Sequence, residues 1–556
     1  MKVKTTVANE IVNSMLNEKV EKVYCVPGES YLSILNELFD ETEIDLITGR
    51  QEGGVSFMAE GYAKATSKVG VCFATRGPGA SNLSIGLHTA YHDSTPLVAF
   101  IGQVENKYRN REAFQEIDFS SYFKHIVKWA VELDNPFRTT EIVRRAFHIA
   151  RSGRPGPVVV SLPEDILDKV YTKQHQKQKS TIFSFPRPDK KAIDKTEKNL
   201  INAKKPVIIV GGGVTHEEST NQLISLSELL NIPVITSYQR LSVFPNNHPN
   251  YIGTLWSGSP DYLINTIKDS DLILAIGTRL SQNPTQNYSI INLKSKLIHV
   301  DISEEELNKV YPPYLGIVSD ARQFLKDLLE KLEKSKIYKK EDDCISSLRV
   351  KHKKYSDATP AYSNKFVNLE GVMLDLKNQL PTNVIITGDA GNYLGWLFKY
   401  YKFEKDSTYI GPTSGAMGYG LPAAIGAKIA FPNNVVVSFS GDGGFMMTMQ
   451  ELETAVRYKI PVISIIANNN SFGTIRLHQE KRFPKKTIGT SLTNPNFAKV
   501  MIEMGGKGEQ VRTNKEFKNA LIKALKHEVP SVIELLTNPN HISVDKTICD
   551  LHDSQK

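Results

Sequence analysis

Residues 435–473 read VVVSFSGDGGFMMTMQELETAVRYKIPVISIIANNNSFG. An apolar run, Val435–Ser440, reaches the glycines of Gly441-Asp442-Gly443-Gly444-Phe445. A helical pattern follows from Met449 to Val456. A second apolar run, Pro461–Ala467, then ends at Asn468-Asn469-Asn470-Ser471-Phe472-Gly473. Strand, helix and strand in that order predict two neighbouring parallel strands joined by a helical crossover. Both loops then fall at the C-terminal edge of the sheet, where open α/β sheets bind ligands.

The same alternation continues in both directions. A first block carries strand-like runs at Val23–Val26, Ile44–Thr48, Val69–Ala74, Leu97–Ile101 and Pro157–Leu162. A second carries them at Pro206–Val210, Pro233–Thr236, Leu272–Ile276 and Lys296–Val300, and the third adds Val384–Thr387 and Ser531–Leu535 to the two above. Between the blocks lie two stretches with linker composition. One is Tyr171–Lys190, rich in Lys and Gln and ending Pro186-Arg187-Pro188; the other is the charged, helix-like Lys331–Lys354. The expected fold class is α/β, with three doubly wound parallel-sheet domains over residues 1–185, 190–335 and 360–556.

Composition excludes several classes. The 556 residues are 40% hydrophobic and 23% charged, ordinary for a globular chain. The net charge of +8 comes from lysines spread along the chain, without a basic helix or an aromatic-basic sheet motif, so no nucleic-acid partner is expected. No run approaches the roughly 18 apolar residues of a membrane span. The N-terminus reads as an amphipathic helix (Val7, Ile11, Val12, Met15, Leu16) without the apolar core of a signal peptide. Cys25, Cys72, Cys344 and Cys549 form no C-x-x-C pair, which fits a reducing, cytoplasmic compartment.

The third block carries the chemistry. Mg²⁺ takes oxygen ligands in octahedral geometry, a few from protein and the rest from phosphate and water. Asp442 offers a carboxylate, Asn469 an amide oxygen and Ser471 a backbone carbonyl. Glycines around Asp442 let backbone N–H groups approach a phosphate. Gly-Asp-Gly alone reads equally as a plain strand-to-helix turn; paired with the Asn run across one crossover it is far more specific. In this pairing the chain resembles the thiamine-diphosphate enzymes, and over nearly its whole length the large subunit of acetolactate synthase and its relatives.

That resemblance gives the blocks their expected identities: pyrimidine-binding, central and diphosphate-binding. It assigns Gly441, Asp442, Gly443, Gly444, Asn469, Ser471, Phe472 and Gly473 to the cofactor diphosphate and its Mg²⁺. Glu52, in Arg50-Gln51-Glu52-Gly53-Gly54, matches the catalytic glutamate that bonds the pyrimidine N1′ of thiamine diphosphate and drives its imino shift. Thr413-Ser414-Gly415-Ala416-Met417-Gly418 resembles the loop gripping the aminopyrimidine, with Gly415 and Met417 as its contacts. Gly388-Asp389-Ala390-Gly391-Asn392-Tyr393 resembles a diphosphate loop, through Gly391, Asn392 and Tyr393, with one residue more than the acetolactate synthase pattern. Val26-Pro27-Gly28-Glu29-Ser30 resembles the loop that turns the Glu29 N–H to the substrate carbonyl. Phe114 and Gln115 match active-site residues, and Thr75-Arg76-Gly77-Pro78-Gly79 matches a turn beside the cofactor.

The implied activity is a carboligase that decarboxylates pyruvate and adds the hydroxyethyl carbanion to a second keto compound. The alternatives are a non-ligating 2-keto acid decarboxylase or other lyase, or a non-catalytic cofactor-binding homologue. The implied partners are small 2-keto acids and further copies of the chain, a homodimer or homotetramer in which Glu52 reaches a cofactor held by the other subunit. The chain departs from the biosynthetic enzymes in two places. Asn283 stands where they carry an arginine, and Leu162-Pro163-Glu164-Asp165 where they tend to carry lysine. FAD stays open: Gly211-Gly212-Gly213 could face a dinucleotide or form a structural turn, and the flavin contact run reads Leu255-Trp256-Ser257-Gly258 here. Tyr91-His92-Asp93 holds one histidine, not the adjacent pair of simple decarboxylases.

Overall fold

The computed structural model describes residues 2–174, 184–215, 217–335 and 344–553. Three six-stranded sheets, parallel throughout, form successive domains with helices on both faces. The first runs, in spatial order, Asp45–Thr48, Lys22–Cys25, Gly70–Ala74, Leu97–Gln103, Pro157–Pro163, Trp129–Glu132. The second runs Tyr251–Thr254, Val234–Thr236, Pro206–Val210, Leu272–Ile276, Lys296–Asp301, Leu315–Val318. The third runs Thr408–Ile410, Ile385–Gly388, Val436–Gly441, Ile463–Asn468, Ser531–Leu536, Lys507–Val511. Every expected strand is present. Central strands such as Val436–Gly441 are buried along their whole length, as sheets covered on both faces require.

Local chemistry sets the ends of the elements that matter. The helix Glu52–Thr66 starts where the Gln51 side chain accepts from the Gly54 N–H at 3.0 Å. Nearly all of this helix is buried, because it lies between its own sheet and the helix Gly420–Ala430 of the third domain. Glycine permits that approach. A Cβ on Gly61 would stand 2.6 Å from the Ala423 backbone, and one on Gly426 2.0 Å from the Met58 carbonyl oxygen. Beside this crossing the three domains meet at buried Asp93. Its carboxylate pairs with Lys64 at 2.6 Å and Arg240 at 3.3 Å, and accepts the Thr413 N–H at 2.9 Å.

Two expectations need correction. Both stretches read as linkers contain structure. Lys2–Thr6 pairs antiparallel with Val170–Gln174, so a strand occupies the start of the first stretch and the expected N-terminal helix, Val7–Asn17, follows a strand. Residues 175–183 lie outside the described residues. The helix Cys344–Ser356 packs on the second domain, where Arg349 donates to the Asn246 and Tyr251 carbonyls and His352 meets Tyr262 at 2.9 Å. Residues 336–343 also lie outside the described residues. The helical pattern expected from Met449 to Val456 is the helix Glu451–Arg457, and a further short helix, Asp442–Thr448, precedes it.

Candidate active site

The adjacent parallel strands Val436–Gly441 and Ile463–Asn468 place Asp442 and Asn469 one residue beyond their C-terminal ends, side by side. Asp442 is 3% exposed. Burial pushes its carboxyl up to about 6, against hydrogen bonds from Asn494 and from the backbone N–H groups of Gly443 and Ser471. Asn494 Nδ2 lies 2.7 Å from Asp442 Oδ2 and also reaches Asn468 Oδ1 at 3.0 Å. The Ser471 N–H donates to Asn469 Oδ1 at 3.0 Å, so Asp442, Asn469 and Ser471 form one small polar nest. The Ser471 hydroxyl is buried without a hydrogen-bond partner among the described residues.

The surrounding glycines leave no room for side chains. A Cβ on Gly443 would meet the Phe472 ring at 2.6 Å, one on Gly441 the Tyr393 ring at 2.7 Å, and one on Gly444 Asp389 Oδ2 at 2.7 Å. Asn392 joins the same edge, its N–H on Thr474 Oγ1 at 3.1 Å and its Nδ2 on the Ile542 carbonyl at 2.9 Å. Gly391 and Gly473 complete it, with Gly473 donating to the Ser471 carbonyl at 2.8 Å. A carbonyl oxygen has two lone pairs, so Ser471 keeps one for a cation.

The loop Thr413–Gly418 is tied to this edge from two sides. Buried Asp389 accepts the Gly418 N–H at 2.9 Å, and Thr448 Oγ1 donates to the Gly418 carbonyl at 2.7 Å. Gly415 is left-handed, with φ +70° and open space where a Cβ would go. Met417 is half-buried nearby.

The first domain gathers a second group at the C-terminal edge of its sheet. Glu52 is 8% exposed, and Asn82 Nδ2 donates to it at 3.0 Å. A Cβ on Gly79 would stand 3.1 Å from Glu52 Oε1, and one on Gly28 2.5 Å from Thr75 Cβ. The Gly77 N–H donates to the Gln115 carbonyl at 3.0 Å, and Gln115 is held at φ +65°. Glu29, Glu52, Phe114 and Gln115 are thus assembled around the Thr75–Gly79 turn. Glu29 and Phe114 are exposed.

Three family models match in order: the thiamine pyrophosphate enzyme N-terminal TPP binding domain over residues 5–122, the central domain over 193–328, and the C-terminal TPP binding domain over 389–535. The chain is 34% identical to the "Probable acetolactate synthase large subunit" of Methanococcus aeolicus, covering 96% of this chain and 92% of that protein. It is 32% identical to the "Acetolactate synthase isozyme 3 large subunit" of Escherichia coli, covering 97% and 94%. The chain belongs to the thiamine pyrophosphate enzymes. It is a thiamine-diphosphate-dependent enzyme of the acetolactate synthase type.

In this thiamine pyrophosphate enzyme each group is held by hydrogen bonds within its own domain. Glu52 is bonded by Asn82 of its own domain, while Asp442 and Asn469 are bonded within the third. Three polar residues of the arrangement were not singled out in the sequence. Asp389 is pushed up to about 7 by burial, against hydrogen bonds from the Ala390, Tyr419 and Gly418 N–H groups and from Ser440. Glu451 accepts the N–H groups of Arg50 and Gln51, at 3.1 Å each, directly before Glu52. Asn494 sits in a loop without any motif. The only advance signal was Asp389's place in the quoted Gly388–Tyr393 loop.

In the central domain, a Cβ on Gly211 would meet the Gly277 carbonyl at 2.4 Å, and one on Gly213 the Gly277 Cα at 2.6 Å. Trp256 packs edge-on against Phe398 and fills the space before Gly258.

Proposed function

We propose that the chain decarboxylates a 2-keto acid, pyruvate first, and joins the remaining fragment to a second keto compound. The observation carrying this reading is the nest of Asp442, Asn469 and Ser471 at the ends of two adjacent strands. A buried carboxyl driven towards its neutral form, beside a hydroxyl without a partner, suits a cation brought in with a diphosphate. In this reading Asp442, Asn469 and the Ser471 carbonyl hold Mg²⁺, and the glycines with Gly391, Asn392 and Tyr393 admit the diphosphate. Gly415 and Met417 hold the pyrimidine. When bound, thiamine diphosphate supplies the electron sink that lets CO₂ leave.

The protein's own part is positioning and proton control. Glu52 presents its carboxyl to the pyrimidine ring for proton exchange, and Asn82 orients it. The Glu29 N–H and Gln115 are assigned to the substrate side, with exposed Phe114 in the wall of the adjoining cavity. By resemblance to its family, the working unit is proposed to be a homodimer or homotetramer, each site joining one subunit's first domain to another's third. Ligation is favoured over simple decarboxylation by the position of the histidines. His88 and His92 lie with ring centroids 4.4 Å apart, tilted by 56°, but towards the far end of the helix whose Gly79 and Asn82 touch Glu52. Nine residues of helix separate Gly79 from His88, roughly 13 Å.

FAD is the weaker reading of Gly211–Gly213, since Gly277 already accounts for the missing side chains. Among the described residues no helix is long and apolar enough to cross a membrane, and a cytoplasmic site of action is part of the proposal.

Purified protein with Mg²⁺, thiamine diphosphate and pyruvate tests the reading, with acetolactate and acetaldehyde assayed separately. Acetolactate is the expected product. Acetaldehyde alone would move the chain to the decarboxylases, and no pyruvate consumption would remove pyruvate as the substrate.

A further inference from the structure

A cavity of about 360 Å³ opens beside the first domain's group, with Arg76, Tyr108, Arg111, Phe114 and Glu164 in its wall. Arg76 immediately precedes the Gly77–Gly79 turn that touches both Gln115 and Glu52. Its side chain is only 12% exposed. One guanidinium N–H goes to Glu164 Oε2 at 2.5 Å, while Nε is buried without a partner among the described residues. A buried donor left unmatched is unfavourable, and a guanidinium presents its donors as a planar fork that suits a carboxylate. Glu164 has a 36% exposed side chain, so it can turn to solvent where Arg76 cannot follow. Arg76 therefore supplies a cation on this side of the site.

We propose that Arg76 is a specificity-determining residue. It binds the carboxylate of the incoming 2-keto acid, and Glu164 occupies the guanidinium until the substrate displaces it. This rests on the 2-keto acid reading above and adds how the acid is chosen over an uncharged carbonyl compound.

The test compares wild-type holoenzyme with Arg76→Gln, Arg76→Lys and Glu164→Gln. The readouts are KM for pyruvate, the inhibition constant of methyl pyruvate, which keeps the ketone but lacks the charge, and the thermal midpoint. Arg76→Gln is expected to raise KM for pyruvate roughly ten- to hundredfold and leave methyl pyruvate unchanged. Arg76→Lys falls between, and Glu164→Gln leaves KM unchanged or lower because it removes the competitor. A staple between turn and strand would instead make Arg76→Gln and Glu164→Gln alike, with equal effects on both ligands, and that result overturns the proposal, as does an unchanged KM. If wild-type protein consumes no pyruvate, the reaction proposed above fails on its own. Calorimetric binding of pyruvate then decides the role of Arg76: binding lost in Arg76→Gln supports it, and no binding by wild-type protein overturns it.

Discussion

At the scale of single residues, carboxyl groups are held in environments that set different tasks. Glu52 is bonded by one amide beside a glycine turn, open to a ligand, whereas Glu451 is locked by backbone donors and Thr454. Glu52→Gln is expected to lower turnover at least a hundredfold while thiamine diphosphate still binds, measured by fluorescence titration; full activity would reject Glu52 as the proton carrier. Glu451 bears on stability. Burial pushes its carboxyl up to about 7 from an ordinary value of 4.5, so the folded state keeps a proton that the unfolded chain releases. Its contribution is complete below about pH 4.5 and is lost as pH rises through 7, a change on the order of 3 kcal/mol. Glu451→Gln, which mimics the protonated group, should flatten the fall in thermal midpoint between pH 4.5 and 7; an unaltered slope would assign that fall to other groups. Asp442 and Asn469 were legible because glycines and strand ends frame them. Glu451 and Asn494 were not, because their roles arise only when distant segments pack.

At the scale of elements, the strands missed in the three large sheets all lie at edges, although one edge strand, Asp45–Thr48, was expected. Trp129–Glu132, Tyr251–Thr254, Leu315–Val318, Thr408–Ile410 and Lys507–Val511 were not expected, and each is the edge of its sheet. A strand covered on both faces must be apolar throughout and announces itself; an edge strand such as Lys-Gly-Glu-Gln-Val is held by one neighbour and tolerates polar residues. Helix crossings leave a subtler mark. Gly61 and Gly426 looked like ordinary helical glycines, yet they set the distance between the first and third domains. Gly426→Ala is expected to cost at least about 2 kcal/mol, because the methyl group would collide with the Met58 backbone, which cannot move aside as a side chain could. Unchanged unfolding in denaturant would mean that these helices separate freely.

At the scale of the molecule, the proposed sharing of each site between two subunits would make activity a property of the assembly. Glu52→Gln spoils one half, and Asp442→Ala the other by removing the carboxylate proposed to hold Mg²⁺. Each variant alone should be inactive. Co-expressed in equal amounts they should recover up to about a quarter of wild-type activity, because half of the random dimers then carry one intact site of two. No recovery in verified mixed dimers would mean that each chain builds its site alone. The antiparallel ribbon of Lys2–Thr6 with Val170–Gln174 has a different consequence. It brings the first domain's incoming and outgoing strands side by side, with Lys2 opposite Gln174. A domain whose two chain ends are neighbours behaves as a cassette: it can be circularly permuted, or spliced into another loop, without opening its core.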